Sequence, residues 1–481
     1  MLAAARRQHQ RAGHWRALSA FCSERDLLFN LHDVLKIEQT LFATTPRFAG
    51  HSMATVSEAL SAAVALAEDK FAPHSRLNDA HEPHFNPESK TITMNPQVKT
   101  ALTAFYEAGF GAAHADEELG GMQLPQTVCH ALMFPLYAAN VGSITFPFLT
   151  VAAGNMLRAI GTPEQHRKYL VPMLQGRFTG TMNLSETQAG SSLGDITCKA
   201  FPRPDGRFDI VGNKMWISGG EHELAENIVH MVLAKVADPK HPERTPPGVK
   251  GISLFIVPKR RVDADGNVQG LNDVALGGLN HKMGWRGATN CVMHYGENGG
   301  CVGELLGEEG RGLQGMFKMM NEARITIGLI ATALGYAGYA ASLQYARDRR
   351  QGRPLDGKDP KAPQVAIVEH PDVKRMLLFQ KAAVEASLSL CLFASWLVDR
   401  THHQQQPGAS AQRDDEALLL DVLTPVVKSW PSEWCLEANK WAIQVHGGYG
   451  YTRDFAVEQH YRDNRLNMIH EHVCLVRLLA R

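Results

Sequence analysis

Trp441-Ala442-Ile443-Gln444-Val445-His446-Gly447-Gly448-Tyr449-Gly450-Tyr451-Thr452-Arg453-Asp454-Phe455 is the stretch on which the reading of this chain turns. Trp441 to Val445 has the apolar spacing of a helix end. His446 to Tyr451 can turn tightly, because glycine tolerates positive φ and lets the backbone approach a ligand closely. A polar, charged helix follows and stops near Asn467, which leaves Glu471 between His470 and His472. Taken alone, Gly447-Gly448 is a helix C-cap and a turn. It gains meaning from two runs far upstream: Met182-Asn183-Leu184-Ser185-Glu186-Thr187-Gln188-Ala189-Gly190-Ser191-Ser192, and Lys214-Met215-Trp216-Ile217-Ser218-Gly219-Gly220. On neighbouring strands or loops, their hydroxyls and indole could grip a planar, polar-edged cofactor. The indole covers a face, and hydroxyls or backbone amides bond the edge. Trp216 by itself reads as an ordinary core aromatic.

Composition narrows the class. With 481 residues the chain is too long for one compact core, so two or three packed units are expected. Hydrophobic residues at 44% and charged residues at 20% are those of a globular protein. A net charge of +0 argues against nucleic acid or an anionic membrane as main partner. No apolar run reads as long enough to span a bilayer. The 8 cysteines are scattered without a Cys-x-x-Cys, which fits reduced thiols better than a disulfide frame or a zinc site. His470-Glu471-His472 lacks the i, i+4 histidine spacing of a helical zinc site, and no metal site is expected.

The order of patterns is helical, then strand-like, then helical. Residues 1–25 form a basic extension with Arg6, Arg7, Arg11 and Arg16 ahead of the first acid, Glu24. It reads either as a mitochondrial presequence, implying the matrix, or as an ordinary bacterial N-terminus, implying the cytoplasm. Residues 26–178 carry helical stripes (Leu27 to Leu35, Val56 to Phe71, Val98 to Gly109) and a long apolar stretch from Val128 to Ile160. Thr162-Pro163 is a helix start, an N-cap followed by a proline in the first turn. Residues 179–305 hold short strand-like runs: Thr197 to Phe201, Phe208 to Val211, Ile228 to Val236, Gly251 to Val257 and Thr289 to Tyr295. Residues 306–481 return to the helical period in Leu313 to Arg350, Val373 to Val398 and Leu418 to Val445, with polar loops at Arg353 to Lys361 and Gln404 to Asp415. The spacing predicts an α+β chain with an all-α N-terminal domain, a middle β-barrel or β-sandwich and a C-terminal helical bundle. There is no alternating βαβ pattern, and so no Gly-x-Gly-x-x-Gly dinucleotide loop in the βαβ setting that such a loop needs.

Five runs in this order resemble the acyl-CoA dehydrogenase family, over roughly Ala104 to Glu471. Ser185 to Ser192 is similar to that family's T-E-P-x-A-G-S-D, and Lys214 to Ser218 to its K-x-W-I-T/S. Lys282-Met283-Gly284-Trp285-Arg286-Gly287 is similar to K-x-G-x-R-x-S/G, Gln444 to Tyr451 to Q-x-x-G-G-x-G-Y, and Tyr461-Arg462-Asp463 to the R-D that follows. The likeness is strongest to a longer bacterial-type subgroup, and the C-terminal unit is then expected to be a four-helix bundle. The resemblance implies FAD and an acyl-CoA thioester. It places Met182, Leu184, Ser185 and Ser191 along the flavin and the substrate beside it, Trp216 against the isoalloxazine and Ser218 near its N5. Arg349 would meet the FAD pyrophosphate, where a guanidinium suits bidentate phosphate contact. Gln444, Gly447 and Gly448 would reach the FAD of a neighbouring subunit, which implies a homodimer or homotetramer. Arg324, with Asn321 as companion and Ser191 opposite, would lie on the substrate.

By the same resemblance a carboxylate removes the α-proton of the thioester, and the β-hydrogen leaves as hydride to flavin N5. An ordinary Glu, near pKa ~4.3, is too weak a base unless burial raises it and the substrate carbonyl is polarised. Ile469-His470-Glu471 matches the family's I-x-E-G-T, so Glu471 is the expected base. A subgroup carries its base on the helix directly before the position of Arg324, but that residue here is Ala323. Glu322 is one residue earlier, a turn of about 100°, and is expected to face elsewhere, solvated or ion-paired. Where the family continues Gly-Thr after the base, this sequence reads His472-Val473-Cys474 and ends at Arg481, which implies a truncated or degenerate tail. The expected activity is oxidation of an acyl-CoA to the trans-2-enoyl-CoA, with electrons passed to an electron-transfer flavoprotein or similar acceptor. The alternatives are an acyl-CoA oxidase, or a non-catalytic homologue acting in assembly.

Overall fold

A computed structural model describes residues 21–241, 245–354, 359, 361–403 and 410–470. Most of the 1–25 extension and all of 471–481 lie outside these residues.

The N-terminal unit is helical. It contains α1 (Glu24–Phe29), α2 (Met53–Leu66), α3 (Ser75–Ala80), α4 (Pro96–Glu107) and the 35-residue α5 (Gln126–Ile160), with a small hairpin of β1 (His84–Asn86) and β2 (Thr91–Thr93). Ser52 and Thr162 start their helices through capping boxes with Thr55 and Gln165, as the Thr162-Pro163 signal anticipates. Helix α5 is kinked at Asn140, which has non-helical angles (φ −162°, ψ 84°). The side chain replaces the lost ladder: Asn140 Nδ2 donates to Phe71 O at 3.0 Å, and its Oδ1 accepts from Ser143 N at 3.1 Å.

The middle unit is a barrel. Its strands are β3 (Phe178–Asn183), β4 (Lys199–Pro202), β5 (Phe208–Ser218), β6 (Asn227–Val236), β7 (Ile252–Pro258), β8 (Arg260–Val262), β9 (Val268–Leu271), β10 (Val274–Leu279), β11 (Asn290–Tyr295) and β12 (Val302–Leu305). The pairings β5–β12, β12–β7, β7–β6, β6–β4 and β4–β5 form a closed ring, so these five strands have both edges satisfied. The remaining pairings extend it: β3 runs parallel to β6, and β11 and β10 continue from β5. The expected run at Phe208 to Val211 is longer than its pattern indicates. It continues through Lys214-Met215-Trp216-Ile217-Ser218, so that whole motif lies on β5.

The C-terminal unit is the bundle of α6 (Gly312–Asp348), α7 (Pro371–His403), α8 (Ser410–His446) and the short α9 (Val457–Arg465), with α5 packed on α6. Two expectations need correction. Described residues 410–415 belong to α8, not to a polar loop. Among the described residues, three helices, Gln126–Ile160, Glu322–Asp348 and Pro371–His402, are long and apolar enough to cross a membrane. In the first two, 89% and 94% of the apolar window is buried inside the protein, and in the third 50%.

Candidate active site

Three groups of residues need placing. The first lies where the ends of β3 and β5 meet. Thr181 Oγ1 donates to Ser218 O at 2.7 Å, and Met215 N donates to Ser185 O at 3.0 Å, so the two motif runs are stitched together. Met182, Leu184 and Ser185 are half-buried there, and Ser191 is exposed. Ser218 Oγ is held by Asn290 Nδ2 at 3.1 Å. Trp216 is not a core aromatic: it is 61% exposed, on a backbone with φ +66°. A bulky residue in the left-handed region is strained, and here the strain accompanies an indole presented to the outside.

What fixes this corner is a pair not singled out in the sequence. Glu186 and Lys214, with side chains 2% and 0% exposed, form an ion pair at 3.0 Å. Glu186 also accepts from Thr197 N (2.6 Å), Thr197 Oγ1 (2.7 Å), Cys198 N (3.0 Å) and Gln188 Nε2 (2.8 Å), and Lys214 Nζ donates to Leu184 O at 2.9 Å. Burial alone would raise the Glu186 pKa, but the ammonium and the amide donors outweigh it and hold it at about 2. The available signal was an acid and a base, one in each motif, on runs otherwise reading as interior.

The second group lies at the end of α8. Gly447 has φ +60° and starts a tight 3₁₀ turn, Gly447–Tyr451. An aromatic stack supports the turn, with Tyr345 against His446 at 4.2 Å between centroids and Phe455 edge-on to both. Arg349, exposed at the C-terminus of α6, shares with Gly447 and Gly448 an open cleft of about 510 Å³. Gln444 is exposed on α8 but is not among the residues lining that cleft. Among the described residues, none of the β-strand group lines that cleft.

The third group lies around the start of α6. Arg324 and Ala323 are buried; the Asn321 side chain and Glu471 lie outside the described residues. Ala323, Glu322 and Thr326 line a cavity of about 80 Å³ closed on its other side by α5. The expectation that Glu322 faces elsewhere is thus overturned. It is half-buried, its Oε2 accepts from Asn155 Nδ2 at 3.1 Å, and burial raises its pKa against the pull of Arg158 and that hydrogen bond. Helix α6 packs against several neighbours, so two adjacent residues can border one cavity.

The approach to Glu471 is anchored by a joint between two further motifs. Trp285 N donates to Asp463 Oδ1 at 2.6 Å, and Trp285 Nε1 to Asp463 O at 2.9 Å. Arg462 holds Asp79 at 2.5 Å, Glu458 at 2.7 Å and Met283 O at 2.9 Å. His470 sits edge-on to Trp285, 5.7 Å between centroids. Gly284 is required here because an added Cβ would lie 2.5 Å from Arg462 O, a backbone atom that cannot swing away. Gly284→Ala should therefore cost roughly 1–3 kcal/mol of stability, read as a lowered denaturation midpoint; an unchanged midpoint would mean that the joint yields freely.

Residues 56–177 match the family profile described as acyl-CoA dehydrogenase, N-terminal domain, and residues 310–471 the one described as acyl-CoA dehydrogenase, C-terminal domain. The chain is similar to the 3-methylmercaptopropionyl-CoA dehydrogenase of Ruegeria pomeroyi, 36% identical over 84% of this chain and 66% of that protein. It is also similar to a broad-specificity linear acyl-CoA dehydrogenase of Mycobacterium tuberculosis, 33% identical over 93% of this chain and 72% of the relative. The chain thus spans about two thirds of the length of these relatives, and 61% of a butyryl-CoA dehydrogenase of Syntrophomonas wolfei. In fold it is similar to an acyl-CoA dehydrogenase of Bacillus anthracis complexed with FAD, with a TM-score of 0.70 at 21% identity, covering 89% of this chain and 65% of that one.

Proposed function

Because the chain is a member of the acyl-CoA dehydrogenase family, a family that uses FAD, we propose that it oxidises an acyl-CoA thioester to the trans-2-enoyl-CoA. The observation that carries this reading is Trp216, an indole held out of the core beside Ser218 and tied to Met182 and Leu184 by the β3–β5 stitch. An exposed aromatic face with hydroxyl and amide groups at its edge suits a planar ring system. FAD, when bound, accepts the β-hydrogen with its electron pair. Arg349 would hold a diphosphate in the cleft beside Gly447 and Gly448, where the backbone can come close. Among the described residues, none of the Trp216 corner lines that cleft, which favours a site completed by a second copy of the chain, with Gln444 on that copy's side.

Glu471 removes the α-proton in this reading. It follows directly on His470, whose ring packs against Trp285. A carboxylate there needs exclusion of water to gain basicity. Arg324, buried on α6, would meet the substrate together with Asn321 and Ser191. The acyl chain would enter the cavity bordered by Ala323, and electrons would leave to an electron-transfer flavoprotein or similar acceptor. At about 80 Å³ the cavity is roughly half the ~150 Å³ of an engineered cavity that binds benzene, which favours short acyl groups.

The test is the visible spectrum of purified protein. It should be yellow and should bleach anaerobically on adding butyryl-CoA. Yellow protein that no acyl-CoA bleaches would leave only a non-catalytic role. Hydrogen peroxide formed stoichiometrically with product in air would make it an oxidase.

A further inference from the structure

The cavity between α5 and α6 is mostly apolar, walled by Phe110, Leu132, Met133, Phe148, Leu170 and Leu174. One part of its wall is polar. Glu322 contributes a carboxyl group with a single hydrogen bond among the described residues, from Asn155 Nδ2 at 3.1 Å. Arg158 also lines the space, with Nη1 donating to His114 O at 3.2 Å; Asp116 and Glu322 favour its charge, while burial and Arg47 oppose it. Beside them His130 is fully engaged, through Nε2 with Gln126 and Thr326 and through Nδ1 with Ser395.

A carboxyl group on the wall of a largely apolar cavity is costly unless something uses it. Leucine at position 322 would fill the same space without desolvating a charge. Among the described residues the carboxyl group of Glu322 bonds no backbone and caps no helix, and it links α6 to α5 only through Asn155. The charges present already balance: two cations, Arg47 and Arg158, stand against two acids, Asp116 and Glu322, with Arg47 paired to Asp116. A charged guest would leave one of them uncompensated, whereas a neutral hydroxyl could donate to Glu322 and accept from Arg158. A plain alkyl end would bury these groups without replacing their water.

We propose that this cavity selects short acyl groups carrying a distal uncharged hydrogen-bonding substituent, a hydroxyl above all, and that Glu322, with Asn155 and Arg158, is the residue that determines that specificity. The inference rests on the acyl-CoA reading above. It makes Glu322 a binding residue rather than the base.

The experiment compares butyryl-CoA, 4-hydroxybutyryl-CoA and glutaryl-CoA on the FAD-loaded protein, by equilibrium binding and by kcat/KM. The hydroxylated thioester should bind at least about tenfold more tightly than butyryl-CoA, the worth of one hydrogen bond to a charged group. Glu322→Leu should erase that ratio by favouring butyryl-CoA and penalising the hydroxyl, while Glu322→Gln, which keeps an acceptor but not the charge, should retain part of it. Equal affinity for butyryl-CoA and 4-hydroxybutyryl-CoA in the unsubstituted protein overturns the inference while leaving the dehydrogenase reading intact. Preference for glutaryl-CoA overturns it as well, since the cavity would then hold a charge. Binding of none of the three removes the acyl-CoA reading and this inference with it.

Discussion

Glu471→Gln should abolish exchange of the substrate α-proton with solvent deuterium and slow flavin bleaching by about 10²–10⁴-fold, while the protein stays yellow. Glutamine keeps the size of the side chain and removes only its capacity to take a proton. Flavin retention should survive, because the residues proposed to grip the cofactor lie on β3 and the loop after it, on β5, at the C-terminal end of α6, on α8 and in the turn after α8, all before residue 471. The described chain reaches His470, whose Nδ1 meets Leu466 O at 2.8 Å and whose ring meets Trp285. The residue that follows therefore starts from a fixed point on the joint between the barrel and α9. His470 could take over as the base only by leaving its contacts with Leu466 O and Trp285. Exchange that persists in the variant would shift the base elsewhere. Glu322, whose pKa burial raises, would be the first residue to test, and loss of exchange in Glu322→Gln would then also refute its assignment as a specificity residue.

The helical stripes were legible because each repeats a period over many residues, and so were β4, β5, β6, β7 and β11, five of the twelve strands among the described residues; the others are short or lack a strand-like run. What escaped the sequence depends on contacts between distant segments. The kink at Asn140 lies in an unbroken apolar stretch, and its cause is a side chain reaching Phe71 O in another element. Barrel closure depends on β4 pairing with both β5 and β6, which no local pattern encodes. The motifs at Lys282 to Gly287 and Tyr461 to Asp463 read as separate marks, yet they form one joint through Trp285, Arg462 and Asp463. Glu322 was misplaced by a one-helix argument: a turn of about 100° does separate it from Ala323, but the cavity wall spans that angle. Trp216 defied the usual fate of a tryptophan because its left-handed backbone presents the ring outward. Residue identity could show that an indole was there, but not which way the strand would aim it.

The buried pair behind Trp216 should give the largest loss of stability of any single substitution considered. Lys214→Met should destabilise the fold by about 3–5 kcal/mol, measured as a shift in denaturant midpoint, and should weaken flavin retention with it. The methionine fills the space of the lysine stem, so little of the cost is packing. Most of it comes from leaving the Glu186 carboxylate buried without its cation. The double substitution Glu186→Gln with Lys214→Met should recover part of the loss, since no uncompensated charge remains. If it recovers nothing, the cost lies in the lost bond from Lys214 Nζ to Leu184 O rather than in the charge. The same pair sets an acid limit. The folded pKa of Glu186, about 2, is depressed below its ordinary value of 4.5, so its contribution is fully present above about 4.5 and fades as pH falls through 2. A shift of that size is worth on the order of 3 kcal/mol. Acid titration of the unsubstituted protein should therefore show stability falling between about pH 4.5 and 2, and the double variant should show a shallower fall. Equal slopes would mean that Glu186 titrates alike in the folded and unfolded chain, and that the β3–β5 corner is held by its backbone bonds alone.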